Sequence, residues 1–183
     1  LHRVDRRQRQ MCIRDSYDAV LVKFDSTYNL VFSTYFGAEH DDFGHFITID
    51  NNNNIIITGY TSSHYLPTNN NSYKINLSGN YDCYLAKFDN LGNLIWCSYF
   101  GGSQEDVSSN IITDDQNSIY LRGVTNSSDL PVTSNAFQKK IGGQSDVFIA
   151  KFSQDCDLLW CSYYGGNQDD GPLGFDLHGG GLD

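Results

Sequence analysis

Acidic side chains recur in pairs beside glycine-rich segments and are the first candidates for chemistry. The pairs are Asp41-Asp42, Glu105-Asp106 and Asp169-Asp170. Carboxylate oxygens are ligands that Ca²⁺ prefers, so one interpretation is a calcium site at each pair. The other is a structural turn, in which the aspartates accept hydrogen bonds from loop amides and the glycines supply positive φ. The spacing does not match an EF-hand, and a residue repeated in every unit usually serves the architecture. We therefore favour the turn, with no cofactor, over calcium.

A second set of candidates departs from an internal 64-residue repeat. These residues are Glu39, His40, His45, His64 and Arg122. Three histidines near an acidic pair suggest a metal site or a general base. However, the interval from His40 to His45 fits no zinc signature, which favours scattered surface histidines. Arg122 is expected to pair with a neighbouring carboxylate. We assign no catalytic residue, and the sequence favours a protein that is not an enzyme.

The repeat organises the rest of the chain. The segments YDAVLVKF, YDCYLAKF and SDVFIAKF begin at Tyr17, Tyr81 and Ser145, at a constant spacing. Each unit contains four strand signals bounded by Asn, Asp, Ser and Gly. In the first unit they are Asp18–Phe24, Leu30–Phe36, His45–Asp50 and Ile55–Tyr60. Four antiparallel strands per unit, packed between like units, predict an all-β fold, a β-propeller fragment of four-stranded antiparallel blades.

The repeated residues resemble the SBBP-type β-propeller repeats of bacterial surface and secreted proteins. The resemblance rests on three stretches and covers Tyr17 to about Leu177. The stretches are Ala86-Lys87-Phe88-Asp89, then CSYFGG at 97–102 with Glu105-Asp106, and ITGYTSS at 57–63 leading to Leu66-Pro67. The resemblance implies a propeller and supplies no fixed catalytic residues. The third unit departs from the pattern after Asp170.

The strand order of related propellers predicts where the blades begin and end. Whole blades are expected from about 45 to 100 and from about 109 to 164, with 17–36 as the outer half of a preceding blade and 172–177 as the first strand of the next. Propellers close with roughly 4–8 blades, so the chain is expected to be a fragment whose partners include further blades of its parent chain.

The connections of an antiparallel meander alternate between the two ends of a blade. The glycine-rich acidic loops and the long loops should therefore share one end, which we call the loop-rich face. The loops are 37–44, 101–108, 165–171, 61–80 and 125–144. Binding sites concentrate on loops that a rigid scaffold holds, so this face is the expected site of contact with a protein or a glycan.

The first sixteen residues resemble the translation of a transposase-based sequencing adapter. The string CAG ATG TGT ATA AGA GAC AG reads as Gln10 to Ser16. We therefore expect residues 1–16 to be non-native and disordered, and such segments are set aside before fold reasoning. The true N-terminus is then expected to be missing, so a signal peptide would not be visible.

Composition excludes some classes of function. The net charge of the 183-residue chain is −10, which disfavours a nucleic-acid partner. No apolar run approaches the ~20 residues of a transmembrane helix.

The cysteines have no metal-binding spacing and are expected to be buried free thiols. The aromatic residues at 32, 96, 160, 35, 99 and 163 predict packing between blades, with a sugar-stacking platform as the alternative if they are exposed.

Together these features predict a non-enzymatic propeller segment of a secreted or cell-surface bacterial protein. Its expected role is that of a scaffold or adhesion module, acting outside the cell or at the cell surface. Two alternatives stay open. The first is part of a propeller enzyme that acts on polysaccharides as a lyase or hydrolase, and the second is a calcium-stabilised structural module.

Overall fold

A computed structural model describes residues 16–170. Within this range the chain forms ten β-strands and no helix. The strands are β1 Ala19–Phe24, β2 Leu30–Phe36, β3 Asp42–Ile49, β4 Ile55–Thr61, β5 Asp82–Phe88, β6 Leu94–Phe100, β7 Asp106–Thr113, β8 Ile119–Thr125, β9 Asp146–Phe152 and β10 Leu158–Tyr164. No helix in this part of the chain is long and apolar enough to cross a membrane. The adapter-like residues 1–15 and the predicted strand at 172–177 lie outside the described residues.

The strands form three antiparallel sheets in chain order. β1 and β2 form a hairpin, β3-β4-β5-β6 form a four-stranded meander that we call blade 1, and β7-β8-β9-β10 form a second meander, blade 2. The all-β prediction of four-stranded antiparallel blades is therefore confirmed.

We call the first strand of each blade its inner strand and the last its outer strand. Each inner strand begins three residues before the predicted position. β3 starts at Asp42 and β7 at Asp106, where the strand signals began at His45 and Ser109. The polar and glycine residues at these starts carry no strand signal, but they pair with the end of the next strand, as Asp42 does with Thr61. The register shifts between Gly44 and Phe46, a β-bulge that separates this early pairing from the apolar part of the strand.

The blades stack face to face, which explains why several strands are apolar on both sides. Successive side chains of a strand point to opposite faces. On β4, Ile56 joins the core shared with blade 2, whereas Ile55 and Ile57 join the core shared with the β1-β2 hairpin. Fully burying a side chain such as Ile56 stabilises the fold by about 1.5–3 kcal/mol.

Three of the six predicted aromatic positions belong to these cores, whereas Phe32 and Trp160 are partly exposed and Tyr35 is 68% exposed. Trp96, Tyr99 and Tyr163 are at most 2% exposed. Phe100 packs against Phe148 and Phe152 of the neighbouring blade, with ring centroids 5.3 and 5.4 Å apart. The prediction of packing between blades is thus confirmed for these positions, and their burial leaves no surface for a stacked sugar.

Candidate functional site

A buried aspartate joins two loops at the end of each inner strand. The Asp42 carboxylate accepts hydrogen bonds from the Ala38 amide at 2.7 Å and from the Ser63 hydroxyl at 2.8 Å. The Ser63 oxygen in turn accepts a hydrogen bond from the His40 amide at 2.9 Å. One carboxylate therefore fixes the loop 37–41 against the beginning of the loop 62–81, and we call these two segments loop pair 1.

Blade 2 repeats this arrangement in loop pair 2, the segments 101–105 and 126–145. Asp106 accepts hydrogen bonds from the Gly102 amide and the Ser127 hydroxyl, at 2.7 and 2.9 Å. The Gln104 amide donates to the Ser127 oxygen at 2.9 Å. At the third position, the Gly166 amide donates to the Asp170 carboxylate. Three loop amides are thus held in the way that the turn interpretation of the acidic pairs describes.

The two members of the first two acidic pairs lie in different surroundings, whereas both members of the third pair are at least partly exposed. Asp42 and Asp106 are buried, whereas Asp41 and Glu105 are partly exposed and Asp169 is exposed. Asp41 accepts a hydrogen bond from the Tyr17 amide at 2.9 Å. The adjacent carboxylates therefore have different roles: one is buried and binds loop groups inside the blade, and the other lies at the surface.

Burial changes the acidity of Asp42 and Asp106, and we call each of these aspartates, together with the loop groups that bind it, a clamp. Desolvation raises the pKa of Asp42, against the opposing effect of its hydrogen bonds with Thr61, Ala38 and Ser63. Desolvation likewise raises the pKa of Asp106, to about 6, and the nearby charge of Asp82 adds to the rise.

A second repeated aspartate faces each clamp and was missed as a candidate in the sequence. Asp82 is buried at the start of β5, and a Cβ added to Gly101 would lie 2.9 Å from the Asp82 carboxyl group and 2.6 Å from that of Asp106. Only glycine fits between the two carboxylates. Asp18, Asp82 and Asp146 occupy the second position of the three repeated octapeptides, so the repeat itself held the signal.

The long loops are anchored by a tyrosine of the outer strand. The Tyr99 hydroxyl donates to the Ser63 carbonyl at 2.8 Å and accepts from the Leu66 amide at 2.9 Å. In blade 2, Tyr163 makes the same two hydrogen bonds with Ser127 and Leu130, at 2.8 and 3.0 Å. Residues 64 and 65 are therefore displayed between two fixed points of the backbone.

This anchoring brings together three residues that depart from the repeat. Glu39, His40 and His64 each offer one ligand atom, and these atoms all lie within 4.8 Å of one another. His64 Nδ1 is 3.6 Å from Glu39 Oε1. The same Oε1 accepts a hydrogen bond from the His64 amide at 2.6 Å, which fixes the carboxylate against the long loop. Both histidines are exposed, and the Glu39 side chain is 25% exposed.

The third histidine lies apart from this cluster. His45 is the residue at the β-bulge of β3, and its ring packs against Tyr60 with ring centroids 5.0 Å apart. Burial lowers its pKa. The short interval between His40 and His45 does not bring these two residues into one cluster. The fold instead brings His64, also a candidate from the sequence, back to His40 across 24 positions of chain.

The remaining candidates take no part in the cluster. Arg122 is exposed on β8 and makes no ion pair with any residue from 16 to 170, so its expected carboxylate partner is not found there. Four cysteines of the described range are buried and free, namely Cys83, Cys97, Cys156 and Cys161. Burial raises the pKa of each thiol, that of Cys161 to about 12, which makes them poor nucleophiles.

A groove of about 420 Å³ adjoins the cluster on the long loop of loop pair 1. Its lining residues are His64, Tyr65, Leu66, Thr68, Asn69, Asn70, Ile75 and Asn76. Tyr65 is 78% exposed, and three asparagines line the same groove. Donor and acceptor groups therefore lie beside an exposed aromatic ring.

Comparison with known families agrees with this architecture. No curated protein sequence matches the chain. Residues 31–65 match the SBBP family, described as a β-propeller repeat. The matched segment runs from β2 through β3 and β4 to the start of the long loop, and so contains Asp42 and Ser63 of the first clamp. The chain therefore carries an SBBP-type β-propeller repeat at residues 31–65.

Proposed function

We propose that this chain is a non-enzymatic binding segment of a bacterial surface or secreted propeller, which holds a glycan on its loop-rich face. The observation that carries the proposal is the groove beside His64. An exposed tyrosine ring among asparagine amides is suited to a sugar, because the ring covers the apolar face and the amides pair with hydroxyl groups. The resemblance of the repeats to those of surface proteins supports the proposed location.

A scaffold role is supported by the outer face of blade 2. Phe137 and Tyr164 are exposed there, with ring centroids 6.0 Å apart. Their counterparts in blade 1, Tyr73 and Phe100, pack on Phe152 of blade 2. Because the repeat relates these positions, we expect another blade to pack on Phe137 and Tyr164. The proposed module would then be part of a larger propeller.

The test is a glycan array probed with the 183-residue chain and two variants. Tyr65→Ala removes the exposed ring of the groove, and Asp129→Ala changes the equivalent position of loop pair 2 as the matched control. We expect at least one glycan class to bind, with a loss of at least ~10-fold for Tyr65→Ala and no change for Asp129→Ala. Absence of glycan binding, or equal binding by both variants, would overturn the proposal.

The same reagents distinguish the alternatives. Incubation of the chain with the polysaccharides of the array should release neither reducing ends nor unsaturated products, and release of either would favour a hydrolase or a lyase. A melting temperature that falls when calcium is chelated would favour the calcium-stabilised module. A protein partner on the same groove would bind the unchanged chain and not Tyr65→Ala, while no glycan of the array bound either protein.

A further inference from the structure

We propose that Glu39, His40 and His64 form a binding site for a divalent transition metal, with Zn²⁺ as the best match. Two imidazoles and one carboxylate are donors that suit zinc, and three protein ligands leave a position for water or an outside ligand. The site lies on the loop-rich face, and it is independent of whether the groove beside it holds a glycan.

The distances require only a small closure of the side chains. Ligands about 2.1 Å from a tetrahedral zinc ion stand roughly 3.4 Å from one another. His64 Nδ1 and Glu39 Oε1 are already 3.6 Å apart, and the whole set lies within 4.8 Å. The two histidine rings are exposed, with centroids 6.0 Å apart, so rotation of their side chains needs no rearrangement of a core.

The backbone beneath the cluster is fixed. The His40 amide is bound to Ser63, the His64 amide is bound to Glu39, and the flanking Leu66 amide is bound to Tyr99. A metal therefore meets ligands whose main chain is already ordered, which lowers the entropic cost of binding. In addition, Glu39 Oε2 is buried and has no hydrogen-bond partner among the described residues, so this carboxylate keeps coordination capacity.

Loop pair 2 provides a built-in negative control. The positions equivalent to Glu39, His40 and His64 are Ser103, Gln104 and Ser128. There the Ser103 amide and hydroxyl both donate to Asp129, at 2.8 and 3.0 Å. The same clamp thus carries a hydrogen-bonded turn instead of three metal ligands.

The first experiment is a calorimetric Zn²⁺ titration of the metal-stripped 183-residue chain, made without a histidine tag. The test variant is His40→Gln with His64→Ser, which installs the residues of loop pair 2 on a backbone of the same design. The matched control is Gln104→Ala with Ser128→Ala. Every other potential donor of the chain is identical in these proteins, so a difference in affinity reports on the cluster alone.

We expect the test variant to bind Zn²⁺ at least ~10-fold more weakly than the unchanged chain. Mutation of a residue that only hydrogen-bonds to a metal ligand already lowers metal affinity about 10–100-fold. The control should bind as the unchanged chain does. Co²⁺ should give absorption bands of nitrogen and oxygen ligation without thiolate charge transfer, and binding should weaken on acidification because protonated imidazole cannot ligate. Equal affinity of test variant and unchanged chain would overturn the proposal.

A second variant transfers the three proposed ligands to loop pair 2, and its result does not depend on whether the first test variant folds. The triple substitution Ser103→Glu, Gln104→His and Ser128→His places the same donors on loop pair 2. We expect one additional equivalent of Zn²⁺ relative to the unchanged chain. An unchanged stoichiometry would show that these three residues on this clamp are not sufficient, which contradicts the inference.

Discussion

Loop pair 1 and loop pair 2 share an internal framework and differ at the surface. In both, a buried aspartate at the start of an inner strand binds a loop amide and a serine hydroxyl, and an outer-strand tyrosine binds the backbone on either side of the displayed residues. The displayed residues differ, with two histidines and a glutamate in one pair and two serines and a glutamine in the other. The repeat therefore preserves the support while it leaves the exposed positions free to carry chemistry.

The two pairs also differ in how they hold the second buried aspartate. In loop pair 1, Lys74 Nζ lies 2.9 Å from Asp82 Oδ2 and also donates to the Gly101 carbonyl at 2.7 Å. In loop pair 2, the Gln138 side-chain amide donates to Asp146 at 2.8 Å. A cation and a neutral amide therefore serve equivalent carboxylates, which makes the pair a natural test of what the charge contributes.

The largest expected effect comes from removing that cation. Lys74→Met should destabilise the chain by about 3–5 kcal/mol, because it leaves the carboxylate of Asp82 buried with only amide donors. Lys74→Gln, which copies loop pair 2, should cost clearly less. Urea unfolding at neutral pH measures both. If both variants were as stable as the unchanged chain, Asp82 would need neither the charge nor the donor.

The next effect concerns Asp106 and pH. Its pKa is raised to about 6 in the folded state, above the ordinary 3.8, so the folded protein takes up this proton more readily than the unfolded chain. Stability should therefore rise by roughly 2 kcal/mol for this group alone as the pH falls from about 6 to about 4, out of the roughly 3 kcal/mol that the whole pKa shift provides. Asp106→Asn should flatten the rise, as measured by unfolding free energies at several pH values in a chelating buffer.

The control for this pH dependence is Asp25→Asn. Hydrogen bonds from Asn29 and Thr27 lower the pKa of Asp25 to about 2, so its contribution is lost only below about pH 4. The slope between pH 4 and 6 should be the same as in the unchanged chain. Burial lowers the pKa of His45, which acts in the opposite direction in this range, but it is common to all the proteins and cancels in the comparison. The raised pKa of Asp42 leaves a residual slope in every variant, so the assignment would be contradicted by a slope in Asp106→Asn equal to that of the unchanged chain.

The architecture follows from the sequence because the repeat places strand signals and turn residues at a constant spacing. The apolar run Ile55-Ile56-Ile57 already indicates a strand covered on both faces, and the structure places these side chains in two cores. The early start of β3 does not follow, because Asp42 and Gly44 carry no strand preference. Their pairing with β4 depends on a carboxylate that is satisfied only once the loops are in place.

The cluster of Glu39, His40 and His64 illustrates a different limit. The departure of Glu39, His40 and His64 from the repeat marks them as candidates, but spacing along the chain ranks His45 as the nearer partner of His40. Which histidine joins depends on the long loop returning over the blade, and that return is set by hydrogen bonds from Tyr99 to the backbone of Ser63 and Leu66. A repeat pattern identifies the tyrosine, yet it does not say what its hydroxyl binds.

That hydroxyl gives the last and smallest test of the comparison. Tyr99→Phe and Tyr163→Phe each leave a buried carbonyl and a buried amide without their partner, so each should cost about 2 kcal/mol in urea unfolding. The two variants should differ in Zn²⁺ titration, because only Tyr99 orders the segment that carries His64. We expect weaker binding for Tyr99→Phe and unchanged binding for Tyr163→Phe at equal loss of stability. Equal effects on zinc would mean that the anchor stabilises the blade without positioning the ligands, and the two loop pairs would then differ in their side chains alone.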